Sequence, residues 1–309
     1  MISRKHAPRA GRAAHHARAG PGTARWLAAV VRTTRPRQWP KNLLVFAAPL
    51  AGASLGRDDG LGYAVAAAVA FWCAASAVYF VNDIADSERD RRHPRKRLRP
   101  IASGVLPKAH AAALAVVCAA AALAAGAVIG VPLLAAAVGG YLVISFLYSG
   151  VLKHIPVVEL LCLASGFLLR VLGGAAATHV PPSGWFLLVC SLGALGVATA
   201  KRYTELSVLG TDAVRHRPAM RFYRPWALRA SEYAIGVMML VAYVLWASGE
   251  RAAARGWHQA SAVALAAALV RFAVLTARRT TRPVEDMITR DGPMLACEAC
   301  WLALFVAGL

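Results

Sequence analysis

Residues 61–90 read LGYAVAAAVAFWCAASAVYFVNDIADSERD. Residues 61–82 carry no charge and are long enough, at about 20 residues, to cross a bilayer as one helix. This helix does not end as an ordinary one does, because it runs straight into Asn82, Asp83, Asp86, Glu88 and Asp90. Outward from it, apolar runs recur at 42–56 (short), 109–129, 132–150, 156–177, 184–200, 230–248, 258–276 and 293–309, giving nine spans. Lipid offers the backbone no hydrogen-bond partner and barrel-type alternation is absent, so each run is read as a helix. The expected fold class is all-α, a polytopic membrane protein of nine transmembrane helices.

Composition agrees: 58% of the 309 residues are hydrophobic and 16% charged, well away from the balance of a soluble domain. The net charge of +20 raises nucleic-acid binding, but the bases cluster between apolar runs and do not line one face of a soluble fold. Thirty Lys and Arg fall before the first span and in the even-numbered connections, against three in the odd-numbered ones and at the carboxyl end. That asymmetry predicts a cytoplasmic amino end and a carboxyl end outside, which puts the acidic end of residues 61–90 on the cytoplasmic side of the plasma membrane. Residues 1–31 are read as a disordered basic cytoplasmic tail resting on anionic lipid, and 32–309 as the membrane domain. The six cysteines lie in apolar spans and suggest no disulfide framework.

At 100° per residue, Asp83, Asp86 and Asp90 share one stripe within about 60°. Like charges at that spacing repel, and a helix C-terminus disfavours anions. A divalent cation relieves both, and few carboxylates with open positions describe Mg²⁺ shared with substrate phosphates. The basic loop that follows contains Arg99-Pro100, which holds a guanidinium on stiffened backbone.

Asn82-Asp83-x-x-Asp86-x-x-x-Asp90, followed by Arg99-Pro100-x-x-x-Gly104, resembles the signature of UbiA-type intramembrane prenyltransferases over roughly residues 32–309. The resemblance implies nine helices around a cavity and Mg²⁺ and pyrophosphate on the first acidic motif. Ordinary members carry a second D-x-x-x-D after the sixth span; here the chain reads Lys201-Arg202-Tyr203-Thr204-Glu205. That departure resembles a phosphoribosyl-transferring branch of the family. So do Arg35-Pro36-Arg37-Gln38-Trp39-Pro40-Lys41-Asn42, Tyr148 to Lys153, Phe167-Leu168-Leu169-Arg170 and Gly173-Gly174.

The branch implies transfer of 5-phosphoribose from phosphoribosyl pyrophosphate to decaprenyl phosphate or a similar polyprenyl phosphate, a step toward cell-wall arabinan precursors. Its partners are then those two substrates and membrane lipid, with no nucleic acid; a homo-oligomer is allowed. The two substrates carry roughly seven negative charges together, which one Mg²⁺ and the bases Lys41, Lys153, Lys201 and Arg202 offset better than a second acidic cluster.

By this reading Asp83, Asp86 and Asp90 are metal ligands, and Asp83, Asp86, Lys41 and Glu205 are catalytic. Asn42, Asn82, Arg99, Tyr148, Lys153, Arg170, Lys201 and Arg202 bind substrate. Bland readings stand beside these: Lys41 as an interfacial anchor, Lys153 as the positive residue of a short loop, Lys201 and Glu205 as an i,i+4 pair, and Arg170 as a structural donor to carbonyls near Gly173 and Gly174. Arg271 is expected to snorkel, and the basic, aromatic stretch 207–229 to contact headgroups or cover the cavity. Two rivals remain, an ordinary prenyltransferase acting on an aromatic acceptor and a transporter, the latter requiring repeats that are not visible.

Overall fold

The computed structural model describes residues 22–56, 59–210, 218–250, 252–278 and 283–309, and no strand occurs among them. Seven helices are long and apolar enough to span a membrane: α3 (Gly60–Ala85), α5 (Lys108–Val128), α6 (Pro132–Gly150), α7 (Val158–Ala177), α8 (Gly184–Leu209), α9 (Pro225–Gly249) and α10 (Ala252–Ala277). Their outward faces carry Val116, Val128, Leu133 and Val263 fully open, as expected of side chains whose solvent is lipid. The chain is a multi-pass membrane protein.

The two other expected spans take a different form. Residues 42–56 do not make one helix: a 3-10 segment, Pro36–Phe46, leads into the short α2 (Ala47–Ala51). Pro40 inside the first piece removes an amide donor and restricts the residue before it, so the chain cannot wind regularly there. The last apolar run forms α12 (Gly292–Ala307), of 16 residues, preceded by the short α11 (Val284–Arg290).

The amino-terminal expectation is corrected in part. Residues 23–31, read as the end of a disordered tail, belong to helix α1 (Thr23–Thr33). Its apolar side, with Trp26, Ala29 and Val30, packs on Phe80, Ile101 and Leu106. Burial of that face is enough to order a segment whose composition alone looks tail-like. Residues 1–21 lie outside the described residues, as do Arg215 and Arg217 of the expected basic cover.

Helix α3 is the centre of the bundle. It packs on α5, α6 and α7, and 61% of its apolar window is buried, against 22% for α5 and α6. Alanine at 64, 67, 68, 70, 74, 75 and 77 lets neighbouring backbones approach closely, which is how helices gain contact where lipid provides no hydrophobic drive. The acidic motif thus sits at the end of the most enclosed helix.

The 3-10 segment is pressed onto α7 at a glycine. A Cβ on Gly174 would stand 1.8 Å from the Val45 carbonyl oxygen, a clash with backbone that no side-chain rotation relieves. Substituting Gly174→Ala is therefore expected to cost about 1–3 kcal/mol and to lower the unfolding temperature in detergent. An unchanged melting curve would mean that the segment is not seated on α7 as described.

Candidate active site

Helix α3 stops at Ala85, Asp86 caps it, and the chain restarts as α4 (Ser87–Arg91). The chain stays near helical through this junction, with the Asp86 amide donating to the Asn82 carbonyl and the Asp90 amide to the Asp86 carbonyl. Asp83 and Asp90 end up buried, at 4% and 2% exposure. Arg99 Nη1 donates to Asp83 Oδ1 at 3.2 Å and to Asp90 Oδ2 at 2.7 Å, and Arg35 Nη2 donates to Asp83 Oδ1 at 2.6 Å. Asp86 stays half-exposed, 3.6 Å from Arg89. Of the three expected carboxylates, Asp83 and Asp90 thus share a buried partner in Arg99, and Asp86 lies beside them, more exposed.

Both arginines precede a proline, and both have unusual support. Arg99 follows a 3-10 turn, Lys96–Leu98, in extended backbone, as a residue before proline prefers. Arg35 adopts left-handed backbone, φ 54°, which turns its side chain across the ring of Tyr79 toward Asp83. A recess of about 330 Å³ opens beside them, lined by Arg32, Arg35, Asp83, Arg95, Leu98 and Arg99.

Among the described residues no three His, Cys, Asp or Glu side chains gather around one point. Asp83 and Asp90 do converge on a single cation, the Arg99 guanidinium. Two carboxylates beside an open recess are the share a protein gives a small hard divalent ion that takes its other ligands from phosphate oxygens and water. The donor set therefore fits such an ion, with Arg35 and Arg99 available to phosphate oxygens.

A second cluster lies around the 3-10 segment. Lys41 Nζ donates to Glu285 Oε1 at 2.7 Å, and Lys201 Nζ of α8 reaches the same oxygen at 2.6 Å. One residue further, Asn42 Oδ1 accepts from Arg170 Nε at 2.7 Å; Arg170 also donates to Gly166 O at 2.5 Å and Tyr141 Oη at 3.2 Å. Burial, with the charge of Lys201 beside it, lowers Lys41 to about 8, although Glu285 opposes the shift. Burial alone would raise Glu285, but Lys201 and Lys41 hold it down at about 2.

Other expected residues are spoken for by the protein itself. Arg202 lies 3.0 Å from the fully buried Glu159, pairs with Glu205, and donates to Tyr148 Oη at 3.1 Å. Arg202, expected to bind substrate, here sits in a buried network joining α7, α8 and the end of α6, and Glu205 and Tyr148 belong to that network. Lys201 pairs with Glu285, not with Glu205 as the i,i+4 alternative would have it. Lys153 sits half-buried in the turn Leu152–His154, and Asn82 half-buried in the last turn of α3. Arg170 turns to Gly166, not to the carbonyls near Gly173.

Arg271 does not snorkel; it makes a forked pair with Asp291 at 2.8 and 2.9 Å, and Asp291 also caps α12. Arg229 leaves the expected basic cover to pair inside the bundle with Glu232, 3.1 Å away. Sequence reasoning missed Arg35 as a partner of Asp83, and Glu159 and Glu285 altogether. A signal existed for Glu285, since Glu285-Asp286 follows Pro283 inside a loop otherwise dominated by bases.

The model of the UbiA prenyltransferase family matches residues 43–288. The chain belongs to the UbiA prenyltransferase family. Among its relatives, the decaprenyl-phosphate phosphoribosyltransferase of Mycobacterium tuberculosis is 38% identical over 281 residues, covering 90% of this chain and 93% of the relative. The protein of that name from Corynebacterium glutamicum is 38% identical over 251 residues, 79% and 75% of the two chains. A solved UbiA homolog from Archaeoglobus fulgidus bound to GPP and Mg²⁺ aligns with a TM-score of 0.66 over 91% of this chain and 97% of its own, at 18% identity. In this UbiA chain the matched region contains Asp83, Asp90, Arg99, Arg170, Lys201 and Glu285, while Arg35, Lys41 and Asn42 lie just ahead of it.

Because Lys41 loses its proton near pH 8, its pull on anions is present below that pH and fades above it. Binding of sulfate, whose charge is constant, is expected to weaken several-fold between pH 7 and 9.5 in a calorimetric titration, and Lys41→Arg to flatten the profile. A wild-type profile as flat as the variant's would show that Lys41 does not face the anion.

Proposed function

We propose that this chain transfers 5-phosphoribose from phosphoribosyl pyrophosphate to a polyprenyl phosphate, decaprenyl phosphate by the names of its relatives, and releases pyrophosphate. The observation that carries the reading is Lys201, a base where ordinary family members are expected to carry a second metal-binding acid motif, set beside a second base, Lys41, on the same Glu285 oxygen. A prenyl pyrophosphate donor calls for two acidic clusters and two metals. A donor and acceptor that bring phosphates at separate positions call for one acidic cluster and a separate basic one. The names of the relatives at 38% identity support the same assignment.

In this reading the pyrophosphate lies in the recess at the end of α3, against Arg35 and Arg99. Asp83 and Asp90, with Asp86 close by, would hold Mg²⁺, which would supply neutralisation of the departing charge. The lipid phosphate oxygen attacks ribose C1 as the C1–O bond to pyrophosphate breaks on the opposite face, which inverts the anomeric centre. The attacking phosphate is already anionic, so no strong general base is required. Arg170, a buried cation whose hydrogen bonds here go to neutral oxygens, adds positive potential and fixes Asn42 and Lys41. Positioning and electrostatics then carry most of the catalysis. The chain would cross the plasma membrane nine times, with its amino end and its site on the cytoplasmic side.

With purified protein, Mg²⁺, labelled phosphoribosyl pyrophosphate and decaprenyl phosphate, label is expected in the lipid fraction. EDTA should abolish it, and Asp83→Asn should lower kcat by about 100-fold or more. Turnover with a prenyl pyrophosphate and an aromatic acceptor, and none with the ribose donor, would replace this reading by that of an ordinary prenyltransferase.

A further inference from the structure

One carboxylate oxygen sits between two ammonium groups that come from distant parts of the chain: Glu285 Oε1 is 2.7 Å from Lys41 Nζ and 2.6 Å from Lys201 Nζ. All three side chains are about one-fifth exposed, so the cluster is enclosed yet reachable. The charges around it do not balance. Lys41, Lys201 and Arg170 bring three cations, and Glu285 is the carboxylate set among them. A phosphate monoester, with a charge close to −2, would compensate the three better than a carboxylate does.

An apolar cavity begins about one helical turn from this cluster, whose own three side chains do not line it. Val197 precedes Lys201 by four residues on α8, and Ile288 follows Glu285 by three on α11, so each shares a helix face with its charged neighbour. Both line an apolar cavity of about 800 Å³ that runs between α8, α9, α10 and α12, past Gly193 and Leu269, to Trp301. Arg229 and Glu232, which also border it, neutralise each other at 3.1 Å. A ribose 5-phosphate would bring hydroxyls to a wall with few polar partners. A phosphate on a long hydrocarbon chain fits both ends.

We infer that Lys41 and Lys201 form the subsite for the phosphate of the lipid acceptor, that the apolar cavity takes its chain, and that Glu285 is the protein's own anion, held there until the phosphate displaces it. The inference rests on the phosphoribosyl-transfer reading for its choice of acceptor. Without an anion the two lysines would repel one another in a poorly solvated site. Glu285 keeps them together, and rotation of its flexible side chain vacates the position with no change of fold. Displacement also sets a specificity threshold, because neutral lipids and carboxylates gain nothing by exchanging with it.

The test reads binding without turnover. Full-length protein in nanodiscs is titrated with farnesyl phosphate, farnesol and phosphoribosyl pyrophosphate, each alone, for wild type, Glu285→Gln and Glu285→Asp. Glu285→Gln is expected to bind farnesyl phosphate about tenfold more tightly, the size of one partly exposed charge pair. Glu285→Asp should stay near wild type, and farnesol and the ribose donor should be unaffected. Gly193→Leu, whose added atoms first meet the flexible end of Met239, narrows the apolar route and should weaken farnesyl phosphate several-fold while sparing the ribose donor. Weaker or unchanged farnesyl phosphate binding in Glu285→Gln would overturn the inference. Tightening of the ribose donor instead would assign the lysine pair to the sugar 5-phosphate and overturn it too. If these shifts occur but no phosphoribosyl transfer is found, the functional reading fails and the lipid-phosphate subsite stands.

Discussion

A charge carried into an apolar bundle loses its hydration, at a cost of several kcal/mol per ion, and the architecture of this protein follows from how each such charge is compensated. Arg99 is shared between Asp83 and Asp90, Arg202 between Glu159 and Glu205, and Arg229 is set against Glu232. Arg99 ties the loop before Pro100 to α3 and α4, the Arg202–Glu159 pair ties α8 to α7, and Arg229, paired with Glu232 on its own helix, reaches Thr276 and the Ala273 carbonyl of α10. Packing of small residues brings helices close but leaves their sliding and rotation weakly specified. The ion pairs define register, because a shift of one turn would strand a buried charge.

The same requirement makes the 3-10 segment Pro36–Phe46 the frame of the site. Arg35 at its start holds Asp83, Lys41 in its middle meets Glu285, and Asn42 receives Arg170. A regular helix would put Arg35 and Asn42 on one face and turn Lys41 about 100° away from them. Two prolines and close seating on Gly174 keep the chain irregular and carry all three contacts to one side of α3 and α7. The cost in lost backbone hydrogen bonds is offset by the ionic contacts that the segment gains.

The two charged clusters differ in what they leave unmet. At the end of α3, Arg35 and Arg99 are paired with Asp83 and Asp90, while Arg32 and Arg95 line the same recess and add positive charge for an anion that arrives with a metal. Around Lys41 the cations are in excess and one carboxylate holds the place. A site with two electropositive regions, only one of them backed by a pair of carboxylates, suits reactants that each bring phosphate but only one of which brings a leaving pyrophosphate.

Much was legible in the sequence for a simple physical reason: hydropathy is a local property, and lipid forces an uncharged run such as 61–82 into a helix wherever it lies. The membrane class, the acidic run Asn82–Asp90 at a helix end and the bases Lys201 and Arg202 follow from neighbouring residues alone, while the junction at Asp86 is seen only in the structure. Pairing is not local. Lys41 and Glu285 stand 244 positions apart, and nothing near either one tells that they meet. The sequence offered Lys201 a partner four residues on and Arg202 a substrate; tertiary packing gave Lys201 to Glu285 and enclosed Arg202 with Glu159. Local pattern determined which segments enter the membrane and which residues bear charge. Only the packed bundle decided which charges neutralise one another and which remain for a substrate, because that depends on distances across the fold.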